Sequence, residues 1–177
     1  MQIRAGSLLI AHPAHARAHR ANSVVLITES NNYSTLGLTL NALSSYDLAE
    51  LMAQHDIDWQ GADRLYVGGN YNSTALVMLH SDEWYSSNTM NIDGRFSISS
   101  DRLMMEKLEM GNTPDWYQMF IGCEAWDADD LEHQLRSAKP KWLLLSRPSQ
   151  ALIELADEHL WQSAVEEYSQ DVFSNYI

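Results

Sequence analysis

Cysteine is nearly absent. The 177-residue chain holds one, Cys123, so no intrachain disulfide can form. Small secreted domains usually pair their cysteines, so a lone thiol points to a reducing, cytoplasmic setting. Lysine is almost as scarce: Lys107, Lys139 and Lys141 are the only three, and 11 Lys+Arg face 24 Asp+Glu for a net charge of −13. A chain so poor in clustered cations cannot displace counterions from phosphates, which argues against direct nucleic-acid binding and against an anionic membrane surface. Long apolar runs are missing too. Leu8-Leu9-Ile10-Ala11 and Trp142-Leu143-Leu144-Leu145 fall far short of the roughly 20 residues that cross a bilayer, and the first is too short for a signal-peptide core. Without secretion, the glycosylation patterns at Asn32-Tyr33-Ser34 and Asn72-Ser73-Thr74 carry no meaning. No Gly-, Pro- or Ser-rich linker and no clear sequence repeat divides the chain, so one domain over residues 1–177 is expected, with 171–177 as a loose tail.

What is present is an ordinary globular composition, 45% hydrophobic and 20% charged, enough to bury a core without staples. Charge is uneven: residues 1–28 carry Arg4, Arg17 and Arg20 and no acid, for +3, and the rest carries −16. Strand signals fall at 6–13, at the β-branched run 23–28, at 36–40, at 64–67, at 74–80, in a hairpin around Asp93-Gly94, at 116–122 and at 142–145. Helical spacing follows Ser44, follows Ser100 as far as Gly111, starts at Asp127 or Asp129 and stops at Pro140, and runs from Leu152 to Tyr168. Strands with scattered helices, lacking regular βαβ alternation, predict an α+β fold with a mixed, mostly antiparallel, barrel-like sheet and flanking helices.

Those strands carry a recognisable framework. Gly6-Ser7-Leu8-Leu9-Ile10-Ala11-His12-Pro13 is followed by Ser23-Val24-Val25 and Gly37-Leu38-Thr39-Leu40-Asn41. Later come Val67-Gly68-Gly69, Leu79-His80, Ile92-Asp93-Gly94, Ser100-Asp101, Gly122 to Leu135, Leu160-Trp161 and Ala164. In that order the chain resembles the YqgE/AlgH family, also called UPF0301 or DUF179, over nearly its whole length. The resemblance implies the α+β scaffold more than any function; family members are often labelled transcriptional regulators although they have no evident DNA-reading helix. Polar positions depart from the family pattern. The aromatic and arginine expected before Ser23 are displaced or lost at Arg20-Ala21-Asn22, the family's Gly-Gly-Pro is Gly68-Gly69-Asn70, and its Gly-Tyr-Ala-Gly-Trp is Gly122-Cys123-Glu124-Ala125-Trp126. The chain reads as a divergent member, compatible with a copy on a virus or mobile element.

No catalytic constellation emerges. His12, His15 and His19 cluster, but Pro13 breaks the helix that would align them and no acid or cysteine completes a metal set. Cys123 reads as an inert packed thiol. Asp127, Asp129, Asp130 and Glu132 imitate a calcium loop but lack its glycine and closing glutamate; they suit a helix N-terminus instead. No catalytic residue, cofactor or metal is therefore assigned. Two functional readings follow. In the first, an acidic surface of Glu124, Asp127, Asp129, Asp130 and Glu132 engages a basic protein, for example one of the transcription or nucleic-acid machinery, in a non-enzymatic regulatory role. In the second, a groove near Gly68, Gly69, Asn70, His80 and Trp126 binds a small molecule or hosts a cryptic enzyme.

Overall fold

The computed structural model describes residues 2–15, 21–54, 56–61, 64–155 and 158–175. In chain order its elements are β1 (Leu8–Ala11), a 3-10 turn (Pro13–His15), β2 (Val24–Ser30), β3 (Ser34–Thr39), α1 (Leu48–Ala53), β4 (Leu65–Val67), β5 (Tyr71–Ser81), β6 (Met90–Asn91), β7 (Phe96–Ser99), α2 (Arg102–Glu109), β8 (Tyr117–Asp127), α3 (Ala128–Arg136), β9 (Trp142–Leu145), α4 (Gln150–Glu154) and α5 (Leu160–Ser174). They divide into two compact units, one of Met1–Asn41 with Glu124–Ile177 and one of Ala42–Cys123. The second is an insertion in the sequence of the first, and the chain passes from one to the other inside β8.

In the first unit the order is β8-β3-β2-β1-β9, antiparallel throughout, with the last four residues of β8 on β3. β1 and the first five residues of β2 are wholly buried, as continuous aliphatic runs covered on both faces should be. Leu9, Ala11, Val25 and Ile27 face a core completed by Leu131 of α3 and by Trp142 and Leu144 of β9. The Trp161 indole of α5 donates to the Ala11 carbonyl at 2.9 Å, tying the last helix to the first strand.

In the second unit the order is β6-β7-β5-β8, with β4 on the other edge of β8. The β4–β8 pairing is parallel and the others are antiparallel. The fold is thus α+β with a mixed, mostly antiparallel sheet. Its core joins Leu48 and Met52 of α1 to Met104 and Leu108 of α2 over Leu65, Met78 and Met119, with Trp59 and Trp84 at the margins. α2 ends in a Schellman closure: the Asn112 N–H bonds the Lys107 carbonyl and the Gly111 N–H bonds the Leu108 carbonyl. Gly111 there has a φ of 78°.

Several boundaries differ from the sequence reading. The caps are Asp47 and Asp101, not Ser44 and Ser100. The Ser44 hydroxyl is occupied by the Tyr46 N–H, and that of Ser100 donates to the Leu76 carbonyl, leaving the adjacent carboxylates to cap. At the 93–94 hairpin only Gly94 has a positive φ, because the loop takes in Arg95 as a third residue. The helix expected over 152–168 is two helices, interrupted where Leu155 turns to a ψ of 86°. Residues 171–174 are not loose: they form the last turn of α5, since no proline or glycine follows Pro148 to stop it.

Candidate functional site

Gly68 and Gly69 follow β4 and are buried, whereas Asn70 is exposed. The Gly68 N–H donates to the Ile121 carbonyl at 2.9 Å. The carbonyl of Gly69 comes so near Gly122 that a β-carbon there would lie 2.4 Å from it. Glycine at 122 therefore lets the backbone of β8 meet that of Gly69 closely.

His80 is fully buried on β5. Its Nδ1 lies 2.9 Å from the Ser81 carbonyl. A carbonyl only accepts, so the ring carries its proton on Nδ1 and leaves Nε2 to accept from Ser99 Oγ at 2.9 Å. The chain continues outward: Ser99 Oγ meets Thr89 Oγ1 at 2.7 Å, and Thr89 Oγ1 accepts from the Ser86 N–H at 2.6 Å. The ring also sits edge-on to Trp84, with centroids 5.1 Å apart. Both nitrogens are thus committed to structure. Burial drives the pKa of His80 below 6.5, overcoming the raising effects of the Ser81 hydrogen bond and of the Glu83 and Asp82 charges. The unfolded chain then binds the proton more readily than the folded one. This contribution to stability is complete above the unfolded value near 6.5 and is lost as pH falls toward the lowered folded value. Urea midpoints measured from neutral pH downward should decline for the native protein through this window and decline less for His80→Gln. Parallel profiles would refute the assignment.

Close by, Asp101 joins the ends of this region. Burial opposes its charge, but hydrogen bonds from Ser86 Oγ and from the N–H groups of Met104, Asn88 and Leu103 outweigh that and hold its pKa below the usual carboxylate value. Asp82 is likewise lowered, first by the Ser97 hydroxyl and then by the Asn91 amide. These carboxylates serve as structural acceptors.

The other expected site residues lie in the first unit. Trp126 packs edge-on against Trp142 at 6.3 Å and is a core-margin residue there. Asp127, Asp129, Asp130 and Glu132 are exposed on the first turns of α3. Among the described residues only Glu132 has an ion-pair partner there, Arg136 at 3.6 Å. Glu124 does not belong with them: it is buried on β8 opposite Gly37 and accepts from Thr39 Oγ1 at 3.4 Å. Period-two alternation turns it inward while Ala125 and Asp127 face out. Cys123 is half-buried. His12 and His15 stand 6.2 Å apart, His12 Nδ1 accepts from the Ala14 N–H, and His19 lies outside the described residues. Among the described residues no group of three or more His, Cys, Asp and Glu is placed to hold a metal. None of the described helices is long and apolar enough to cross a membrane.

A feature that sequence reasoning missed lies in the second unit. A cavity of about 830 Å³ opens beside α2, with Leu51, Met52, Ile57, Leu76, Met105 and Ile121 as its apolar lining. Asp56, Thr74, Arg102, Glu106 and Glu109 form its rim. Met105 is the available signal: it falls off the Met104–Leu108 stripe that α2 buries, so the helix carries apolar surface on a second face.

Comparison with known proteins places this geometry. The family model described as DUF179, AlgH-like, matches residues 8–172, a span that takes in both compact units. A UPF0301 protein of Stenotrophomonas maltophilia is 30% identical over 96% of this chain and 91% of its own length. One from Xanthomonas oryzae pv. oryzae is 29% identical over the same shares. The solution structure of the AlgH protein from Pseudomonas aeruginosa superposes with a TM-score of 0.76 at 22% identity, covering 95% of this chain and 92% of that one. The crystal structure of DIP2367 from Corynebacterium diphtheriae superposes with a TM-score of 0.71 at 19% identity, covering 93% and 86%.

Proposed function

The chain belongs to the AlgH-like DUF179 family, and from that footing we propose that it is a non-enzymatic binding protein whose acidic surface docks a partner with a basic one. The carrying observation is the −16 of residues 29–177, displayed in part as exposed, mostly unpaired carboxylates on α3. Carboxylates at a helix start complement the dipole, so their presence alone does not demand a partner. Their excess over nearby cations is what favours a basic one. The lone Cys123 suits a reducing cytoplasm as the place where the two meet. The alternative of a ligand groove at Gly68 and Gly69 has little support, given the burial of both glycines and the engagement of His80 at both ring nitrogens.

A partner captured from the source cell and then purified should bind stoichiometrically and more weakly as salt rises. The triple variant Asp129→Asn, Asp130→Asn, Glu132→Gln should weaken it about tenfold, the effect of three rim charges each contributing a fraction of a kcal/mol. Salt-independent binding, or a triple variant with native affinity in titration calorimetry, would defeat the proposal.

A further inference from the structure

The cavity beside α2 has a shape that follows from helix geometry. Arg102, Met105, Glu106 and Glu109 all line it. Their spacing is i, i+3, i+4, i+7, one continuous stripe of α2. The opening therefore runs the whole length of the helix, about 10 Å at 1.5 Å per residue. Leu51 and Met52 of α1 and Ile57 beyond it line the same cavity. Leu51, Ile57, Leu76, Met105 and Ile121 are only partly buried although they pack against the second unit's core. This core is thus open along an apolar trough, and two methionines in its walls can adjust to an occupant.

The rim is acidic and stays so. Glu106 is held by Arg102 at 2.9 Å. Asp56 and Glu109 are exposed and have no ion-pair partner among the described residues. Glu106 and Glu109 also stand in the last turn of α2, where the helix dipole is negative and a carboxylate is unfavourable. The base that would offset them is diverted. Lys107 Nζ donates to the Tyr85 carbonyl at 2.6 Å and lies 4.3 Å from the Tyr85 ring centroid and 5.1 Å from that of Trp84. Cations supplied from outside would relieve this end of the trough.

We infer that the trough along α2 is the seat of a short amphipathic helix of the partner, apolar on one face and flanked by lysine or arginine. An apolar trough about two helical turns long accepts anchors at i, i+3 or i+4, and i+7. The carboxylate rim selects basic flanks over acidic ones. The inference rests on the basic-partner reading and adds to the α3 carboxylates a second contact for the same partner.

The test uses the full chain and synthetic peptides of about four turns. One has leucines on a single face and lysines beside them. A second replaces the lysines with glutamates. A third has the first one's composition with the leucines scattered. Dodecylammonium below its micelle threshold serves as a small amphiphile. By fluorescence anisotropy the first peptide should bind at least about tenfold more tightly than the second or third, and weaken several-fold between about 50 and about 300 mM salt. Thr74→Trp, which fills the trough from an exposed strand position, and Met105→Gln, nearly isosteric, should each weaken it about tenfold with unchanged circular dichroism. Equal binding of the first and third peptides, native affinity in both variants, or binding of dodecylammonium alone would overturn the inference. Loss of a purified native partner in the α3 triple variant but not in the trough variants would also overturn it, while leaving the acidic-surface reading in place. Salt-independent binding of that partner would remove the broader reading itself.

Discussion

Gly122→Ala should destabilise the protein by about 2–5 kcal/mol, far more than the same change at Gly111. Both glycines sit in the left-handed region, with φ of 70° and 78°. An L side chain there costs about 1–2 kcal/mol in either case. The surroundings separate them. At Gly111 a β-carbon would meet nothing within 4 Å, whereas at Gly122 it would lie 2.4 Å from the Gly69 carbonyl oxygen and 3.2 Å from the Ser73 α-carbon. These obstacles are backbone, so β8 or the 69–73 segment must move, adding overpacking strain of about 1–3 kcal/mol. Guanidinium unfolding of the two variants decides the matter. Equal losses would mean that the close approach of Gly69 to Gly122 has no energetic weight.

Phe120→Ala should cost about 3–5 kcal/mol. Phe120 is fully buried on β8, opposite Tyr66 of parallel β4 and Val77 of antiparallel β5. Its ring lies 5.8 Å from that of Tyr66, so truncation removes an aromatic pair as well as buried area. Backbone pairing on both edges of β8 limits collapse into the vacated space, which places the cost in the upper part of the range for large-to-small changes. Phe120→Leu, closer in volume, should lose only about 1.5 kcal/mol or less. A loss below about 1 kcal/mol for the alanine variant would show that the strand relaxes freely.

The framework was legible where side-chain pattern alone determines structure. The aliphatic runs of β1, β2 and β9 and the glycine that closes α2 stand at the expected places. What escaped is what depends on partners distant in sequence. Glu124 looked like one member of an acidic run, and only the register of β8 on β3 turns it inward to Thr39. His80 looked available, and only the Ser99 hydroxyl from β7 shows that its second nitrogen is taken. Ser100 looked like the cap of α2 because a serine and an aspartate compete there, and the bond from Ser100 to the Leu76 carbonyl decides for Asp101. The trough beside α2 was invisible because its walls come from five separate segments, each with an ordinary local pattern. Composition revealed that the protein is acidic; it could not reveal that Lys107 is drawn away from the end of its own helix.

The insertion of the second unit within the first also orders events on the ribosome. Residues 42–123 are complete while the strand end, helices and final strand that cover β1 and β2 are still unsynthesised. At typical elongation rates the missing stretch takes roughly 3–11 seconds to translate. Throughout that interval two of the most hydrophobic strands in the protein have emerged without their cover. Until α3 and β9 follow, the apolar faces of β1 and β2 lack the side chains that complete their core.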